Sequence, residues 1–201
     1  MIRRLPHRAL AGAIAAALLG ASAGPARAVP RPELAALAGQ TFGATSAPDH
    51  GGLSLSLAAL WPVDWRLGDR VVLGMAVSAD DLGSELGQLR DSHDGTALGA
   101  TQLRQRSVYA LEWRMDARAH QRLGATPYAS GTWGFSRVLD GHLGTRLRSV
   151  GSTGFSLGGG LGWPIGGAGT LGIALRYHRL FNDVVGRYLS AGVDWGWRAG
   201  H

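Results

Sequence analysis

Four ionisable residues share a spacing that could matter chemically: Glu112, Arg114, Arg176 and Asp194 each lie on the small, polar face of a segment whose other face is apolar. Successive side chains of a strand point to opposite faces, so this pattern places all four on one enclosed side of a sheet. Buried charge is costly unless it is paired. The set therefore reads as a luminal charge network, with Glu112 and Asp194 as the only two acids well inside and Arg114 and Arg176 as their partners. His178 falls on the same face and points into the lumen. The remaining candidates for chemistry are thin. His50, His93, His120, His142 and His201 are scattered over expected loops, turns and the tail, without the close spacing that metal ligands need. Gly158-Gly159-Gly160 and Gly166-Gly167 lack the lysine and following helix of a phosphate-cradling loop. With no cysteine there is neither thiol chemistry nor a disulfide. No catalytic residue, metal site or cofactor is expected.

The elements that must hold these residues alternate with period two. Leu53, Leu55, Leu57, Ala59 and Trp61 oppose Ser54, Ser56 and Ala58; Tyr109, Leu111, Trp113 and Met115 oppose Ala110, Glu112, Arg114 and Asp116. Similar stretches run through Val71 to Ser78, Tyr128 to Ser136, Gly154 to Trp163, Leu171 to His178 and Tyr188 to Trp197. A weaker eighth, around 39–45, completes an even number. Each is near the nine to eleven residues of a tilted membrane strand, and no apolar run approaches the eighteen of a membrane helix. Large apolar and aromatic residues sit opposite small and polar ones, which inverts a soluble barrel. In hydrocarbon every backbone polar group must be paired internally, so such a sheet must close. The expected fold is all-β: an eight-stranded antiparallel transmembrane β-barrel, a meander with a polar lumen and an apolar exterior. Connections at 62–69, 117–124 and 164–169 are short, whereas 80–105 and 138–150 are long and polar. The short turns then face the periplasm with both termini, and Trp61, Trp65, Trp163, Trp195 and Trp197 anchor at that end.

The first 28 residues form a cleavable leader: Arg3, Arg4 and Arg8, an apolar run over 9–19, and the small-x-small site Ala26-Arg27-Ala28. The barrel domain is then 29–201. Removing the leader's four arginines lowers the formal charge from +6 to +2, which argues against nucleic acid as a partner. All twenty basic residues are arginine. Arg90, Arg104, Arg106, Arg146 and Arg148, in or beside the outer loops, are candidates for contacts with lipopolysaccharide phosphates.

The spacing Ser190-x-Gly192-x-x-Trp195-x-Trp197 resembles the C-terminal insertion signal of outer-membrane barrels, a polar residue, glycine and two aromatics that the barrel-assembly machinery reads; here Arg198-Ala199-Gly200-His201 trails it. The whole pattern is similar to the small eight-stranded barrels of the outer membrane protein A type. That resemblance implies a place in the cell outer membrane, reached by secretion through the inner membrane, with outer-membrane lipid and lipopolysaccharide as surroundings; the oligomeric state is left open, with a monomer expected. The segment from Thr126 through Ser190 also resembles the lipid A 3-O-deacylases, whose His-x-Ser would map its histidine to His178. Position 180 is leucine and no glutamate follows Glu112, so nucleophile and orienting acid are both missing. The expected function is a non-catalytic structural or surface-interaction role in the cell envelope. A lipid A-modifying enzyme and a narrow channel are the alternatives.

Overall fold

The computed structural model describes residues 32–43, 52–63, 70–90, 97–142 and 147–198, with the side chains of all but 84–103. The leader at 1–28, together with Trp65, His50, His93, Arg146 and His201, lies outside them. Eight strands follow one another: β1 (Glu33–Phe42), β2 (Leu53–Pro62), β3 (Val71–Arg90), β4 (Ala97–Arg118), β5 (Thr126–His142), β6 (Arg148–Ile165), β7 (Gly169–Leu180) and β8 (Arg187–Arg198). Each pairs antiparallel with its neighbours, and β1 pairs with β8 to close a barrel. Among the described residues no helix is long and apolar enough to cross a membrane.

Closure explains the glycines at the seam. Gly39 and Gly192 face each other there, and a Cβ on Gly39 would lie 2.0 Å from the Ala191 carbonyl oxygen and 2.5 Å from the Gly192 Cα. The first and last strands can approach only without those methyl groups. At the β4–β5 turn, Leu123 and Gly124 both adopt positive φ (50° and 80°), and Arg122 and Ala125 exchange backbone hydrogen bonds of 2.7 and 2.9 Å. This is the primed turn whose twist matches the flanking strands.

Both described termini and the β2–β3, β4–β5 and β6–β7 connections share one end of the barrel, the turn end; the other four connections share the opposite, loop end, where the outward extension of the strands leaves 91–96 and 143–147 as short connections in place of the long loops expected there. Side chains alternate as the period-two pattern requires. Ser54, Ser56, Arg114, Asp116, Ser130, Thr132, Arg176 and Ser190 are buried inside, while Trp113, Trp133, Phe135, Leu157 and Ile173 are exposed outside. Trp61, Trp163, Trp195 and Trp197 gather at the turn end.

Three boundaries differ from the sequence reading. β1 begins at Glu33 and ends at Phe42, so it sits earlier than 39–45. The stretch 80–105, read as a loop, is an outward continuation of β3 and β4, paired from Asp80↔Val108 to Arg90↔Ala97 with three register shifts. Likewise β5 runs to His142 and β6 starts at Arg148, inside the expected loop at 138–150. Beyond the apolar belt neither face of a strand needs to be apolar, so these extensions carry no alternation to announce them.

Candidate functional site

The lumen is filled in tiers. At the loop end Asp140, buried and three residues beyond the outward-facing Arg137, accepts two hydrogen bonds from Arg104 (2.7 and 2.6 Å) and lies 3.4 Å from Arg106 and 3.5 Å from His142. The Arg104 hydrogen bonds, with the charges of Arg104, Arg106 and His142, hold its carboxyl below the ordinary aspartate range against the opposing effect of burial. Leu82, Val108, Val138, Leu180, Val184, Val185 and Tyr188 form an apolar plug at this end. Val184 and Val185 come from the β7–β8 connection, which Asn182 folds inward by accepting both of their backbone N–H groups (2.9 and 2.7 Å).

Below the plug runs a hydrogen-bonded set. Asp80 accepts from Ser54 (2.5 Å) and from the Tyr188 hydroxyl (2.7 Å). The Tyr188 ring stacks on His178 with centroids 4.3 Å apart and planes 3° from parallel. His178 Nε2 lies 2.9 Å from Ser190 Oγ, and Thr132 pairs with Ser156 at 2.7 Å. Arg176 is buried within reach of the charges on Glu112, Asp194 and Arg114, but among the described residues its Nε and one terminal nitrogen have no hydrogen-bond partner. Glycines on β6 make room here: a Cβ on Gly158 would lie 2.6 Å from Arg176 Cγ, and one on Gly160 would lie 2.7 Å from the Tyr128 hydroxyl.

At the turn end each of the three acids, Glu33, Asp116 and Asp194, has a side-chain partner. Arg114 donates a fork of two 2.8 Å bonds to Asp116, and Tyr128 donates to Asp194 at 2.6 Å. Glu33 accepts from Arg118 (2.8 and 2.5 Å) and from Arg198 (3.0 Å), tying β1 to β4 and β8. These groups line a cavity of about 270 Å³ that opens at this end. Beside it Ala35, Ala58, Leu60, Val72 and Ala76 pack as a second apolar cluster.

The expected network is thus present by location and different by partner. Glu112, Arg114, Arg176 and Asp194 all face the lumen. Arg114, however, takes Asp116 rather than Glu112; Glu112 bonds Thr132, and Asp194 bonds Tyr128. Nor are Glu112 and Asp194 the only acids inside, since Asp80, Asp116, Asp140 and Glu33 are all buried. The sequence pattern did place Asp116 on the face of Arg114; an i,i+2 pair on one strand was the signal overlooked. Arg106 corrects the list of outer-loop arginines: β4 continues through it and parity turns it inward, where it is 5% exposed. Arg104 clasps Asp140, Arg148 is exposed and 3.6 Å from Asp183, and Arg90 ends β3 with its side chain outside the description. In the C-terminal motif Ser190 faces the lumen, Gly192 lies at the seam, and Trp195 and Trp197 face outward.

His178 finds a serine after all, one that register rather than proximity in sequence supplies. The pair is nonetheless sealed: Ser190 has no exposed surface, and among the described residues no carboxylate is bonded to His178. A hydroxyl that no carbonyl can approach cannot be acylated. Among the described residues no group of His, Asp or Glu is arranged to hold a metal ion.

No family model matches the chain, and no curated protein matches it. Among solved structures it is similar to Neisserial surface protein A, with a TM-score of 0.58 at 12% identity, covering 83% of this chain and 95% of that one. It is also similar to the N-terminal barrel of Pseudomonas aeruginosa OprF (TM-score 0.48, 14% identity, 83% and 97% covered) and to a major outer membrane protein of Thermus thermophilus (0.48, 13%, 83% and 99%). The chain has the closed eight-stranded fold of the small outer-membrane β-barrels.

Proposed function

We propose that the chain is a non-catalytic barrel of the bacterial outer membrane, with its turn end in the periplasm, whose role in the cell envelope is exercised by its outer surface and loop end. The observation that carries this reading is the filled lumen. Between the apolar plug and the turn-end cavity lie tiers of buried, mutually bonded side chains, as expected where eight strands enclose only enough space for side chains. Such a lumen is a structural core, and it supports neither a conducting path nor an exposed nucleophile. The outward aromatic girdle and the exposed apolar belt support a lipid surrounding. The C-terminal aromatics support delivery by the barrel-assembly machinery, and lipopolysaccharide is the neighbour that the loop end would meet.

The test combines three measurements on the same gene. Deletion is expected to raise sensitivity to detergents and large antibiotics and to leave the lipid A mass spectrum unchanged, and the purified barrel is expected to give no discrete conductance steps in planar bilayers. Loss of an acyl chain from lipid A that depends on the gene would replace this reading with an enzymatic one, and reproducible single-channel steps would replace it with a pore.

A further inference from the structure

Most of the arginines with described side chains at the barrel ends and in the lumen have found carboxylates: Arg104, Arg114, Arg118, Arg148 and Arg198 all have acidic partners. Among the described residues three on the outer surface, Arg137, Arg179 and Arg187, have not. Arg179 on β7 and Arg187 on β8 stand directly opposite each other in the strand register, both exposed, and among the described residues neither guanidinium has a partner. Like charges facing across a strand pair are destabilising. The nearby loop carboxylate, Asp183, is directed to Arg148 instead.

Their height in the barrel is specific. Arg179 is the tenth residue beyond Gly169 at the turn end of β7, and Arg187 the eleventh before Arg198 at the turn end of β8. Arg137, also exposed and facing outward, is the eleventh beyond Thr126 on β5 and donates to Ser149 at 2.6 Å. At about 3.3 Å per residue and a tilt near 40°, each stands roughly 25–28 Å above the turn end. An apolar band of about 25 Å ends at that level. Beside Arg179, in register with it, Phe155 packs at 6.0 Å against Phe181, which is exposed.

We propose that Arg179 and Arg187 form a clamp for the phosphate of a phosphorylated glycolipid in the outer leaflet, with Arg137 as a further cation two strands away. The inference rests on the outer-membrane reading above and names the surface and ligand chemistry through which it acts. A phosphate between the two guanidinium groups accepts charge-assisted, bidentate hydrogen bonds and turns a repulsive pair into a bridged one. Acyl chains of the same lipid lie against Phe155, Phe181 and the apolar belt beneath.

The test titrates the refolded full barrel in detergent with bisphosphorylated lipid A or with the same lipid stripped of phosphate, counting bound lipid by native mass spectrometry. The wild type is expected to retain the phosphorylated lipid at about tenfold lower concentration than the stripped one. The Arg179→Gln/Arg187→Gln variant is expected to bring the two curves together, whereas Arg122→Gln at the turn end leaves them apart. The double variant should unfold at no lower urea concentration than the wild type, because it removes a like-charge pair, so lost binding is not lost folding. Equal affinity of the wild type for both lipids, or an unchanged preference in the double variant, overturns the clamp. Displacement of the lipid by an equal concentration of inorganic phosphate overturns the lipid assignment in favour of a free-anion site. Insertion into phosphatidylcholine vesicles, read by heat-modifiable gel migration, is scored first. A chain that fails to insert refutes the outer-membrane reading and the clamp with it, whereas an inserted barrel without phosphate preference refutes the clamp alone.

Discussion

Removing the Asp116 carboxylate is the sharpest probe of the lumen. Arg114 is 2% exposed and both bonds of its fork end on Asp116. Asp116→Ala therefore leaves a buried guanidinium without its direct counter-charge, a change that costs about 3–5 kcal/mol in a dry site. Arg114 and Asp116 also line the turn-end cavity, and Asp194 lies close enough to act on Arg114 electrostatically. Water and the second carboxylate recover part of the loss, which places the expected cost near the lower bound, about 3 kcal/mol. With an m-value of about 2 kcal/mol/M this is a fall of about 1.5 M in the urea midpoint, followed by tryptophan fluorescence in lipid vesicles. Adding Arg114→Met removes the orphaned charge and keeps most of the volume. The double variant should be more stable than the sum of the single losses by about 2 kcal/mol. A cost below about 1 kcal/mol for Asp116→Ala, or strictly additive losses, would refute a desolvated ion pair at this level of the barrel.

Replacing Trp195 and Trp197 together by alanine is expected to lower the amount of barrel in isolated outer membranes severalfold, while substituting the exposed Leu123 leaves it unchanged; normal levels of the double variant would remove the insertion-signal assignment. Asp140 carries the pH dependence of the loop end. Its folded carboxyl lies below the ordinary 3.8, so its stabilisation is complete above that value and is lost as pH falls through the folded one. Limited proteolysis of the loop end should accelerate below about pH 4 in the wild type. Asp140→Asn should cleave faster already at neutral pH and show a flatter acid response; an equally steep response would assign the effect elsewhere. Gly160→Ala, whose new Cβ would meet the Ile173 carbonyl oxygen at 2.2 Å and the Tyr128 hydroxyl at 2.7 Å, should cost about 1–3 kcal/mol in the same unfolding assay. A neutral substitution there would show that β6 can move away from Tyr128.

The barrel was legible because hydrocarbon on one side and a narrow lumen on the other force a period-two pattern that survives in seven strands. It was legible only as far as the hydrocarbon extends. The continuation of β3 beyond Asp80 and of β4 before Val108 has no apolar face to declare it, so the pattern alone puts Asp80 at the start of a loop and Arg106 beside one, although both are buried inside. Parity was sufficient to place His178 and Ser190 in the lumen, but their contact depends on the stagger between β7 and β8, with Arg176 opposite Ser190 and His178 opposite Tyr188. Stagger is a property of the closed sheet, so no spacing along the chain announces a serine that lies across the ladder. The opposed Arg179 and Arg187 were hidden for the same reason: each is an unremarkable surface arginine until the register brings them face to face.

The clasp at Glu33 has a consequence for how this chain must acquire its structure. Its carboxylate holds Arg198, 165 residues away, and the β1–β8 ladder it terminates joins the first strand to the last. Contacts between such distant positions are the slowest to form, because the entropy of closing the intervening chain is spent before any of them is gained. Hairpins such as β4–β5 can form from neighbouring residues, but the seam with its two facing glycines cannot exist until β8 is available. Every partially formed intermediate therefore carries two bare strand edges, and the chain must be kept from pairing with other chains until its final twelve-residue strand arrives to satisfy them.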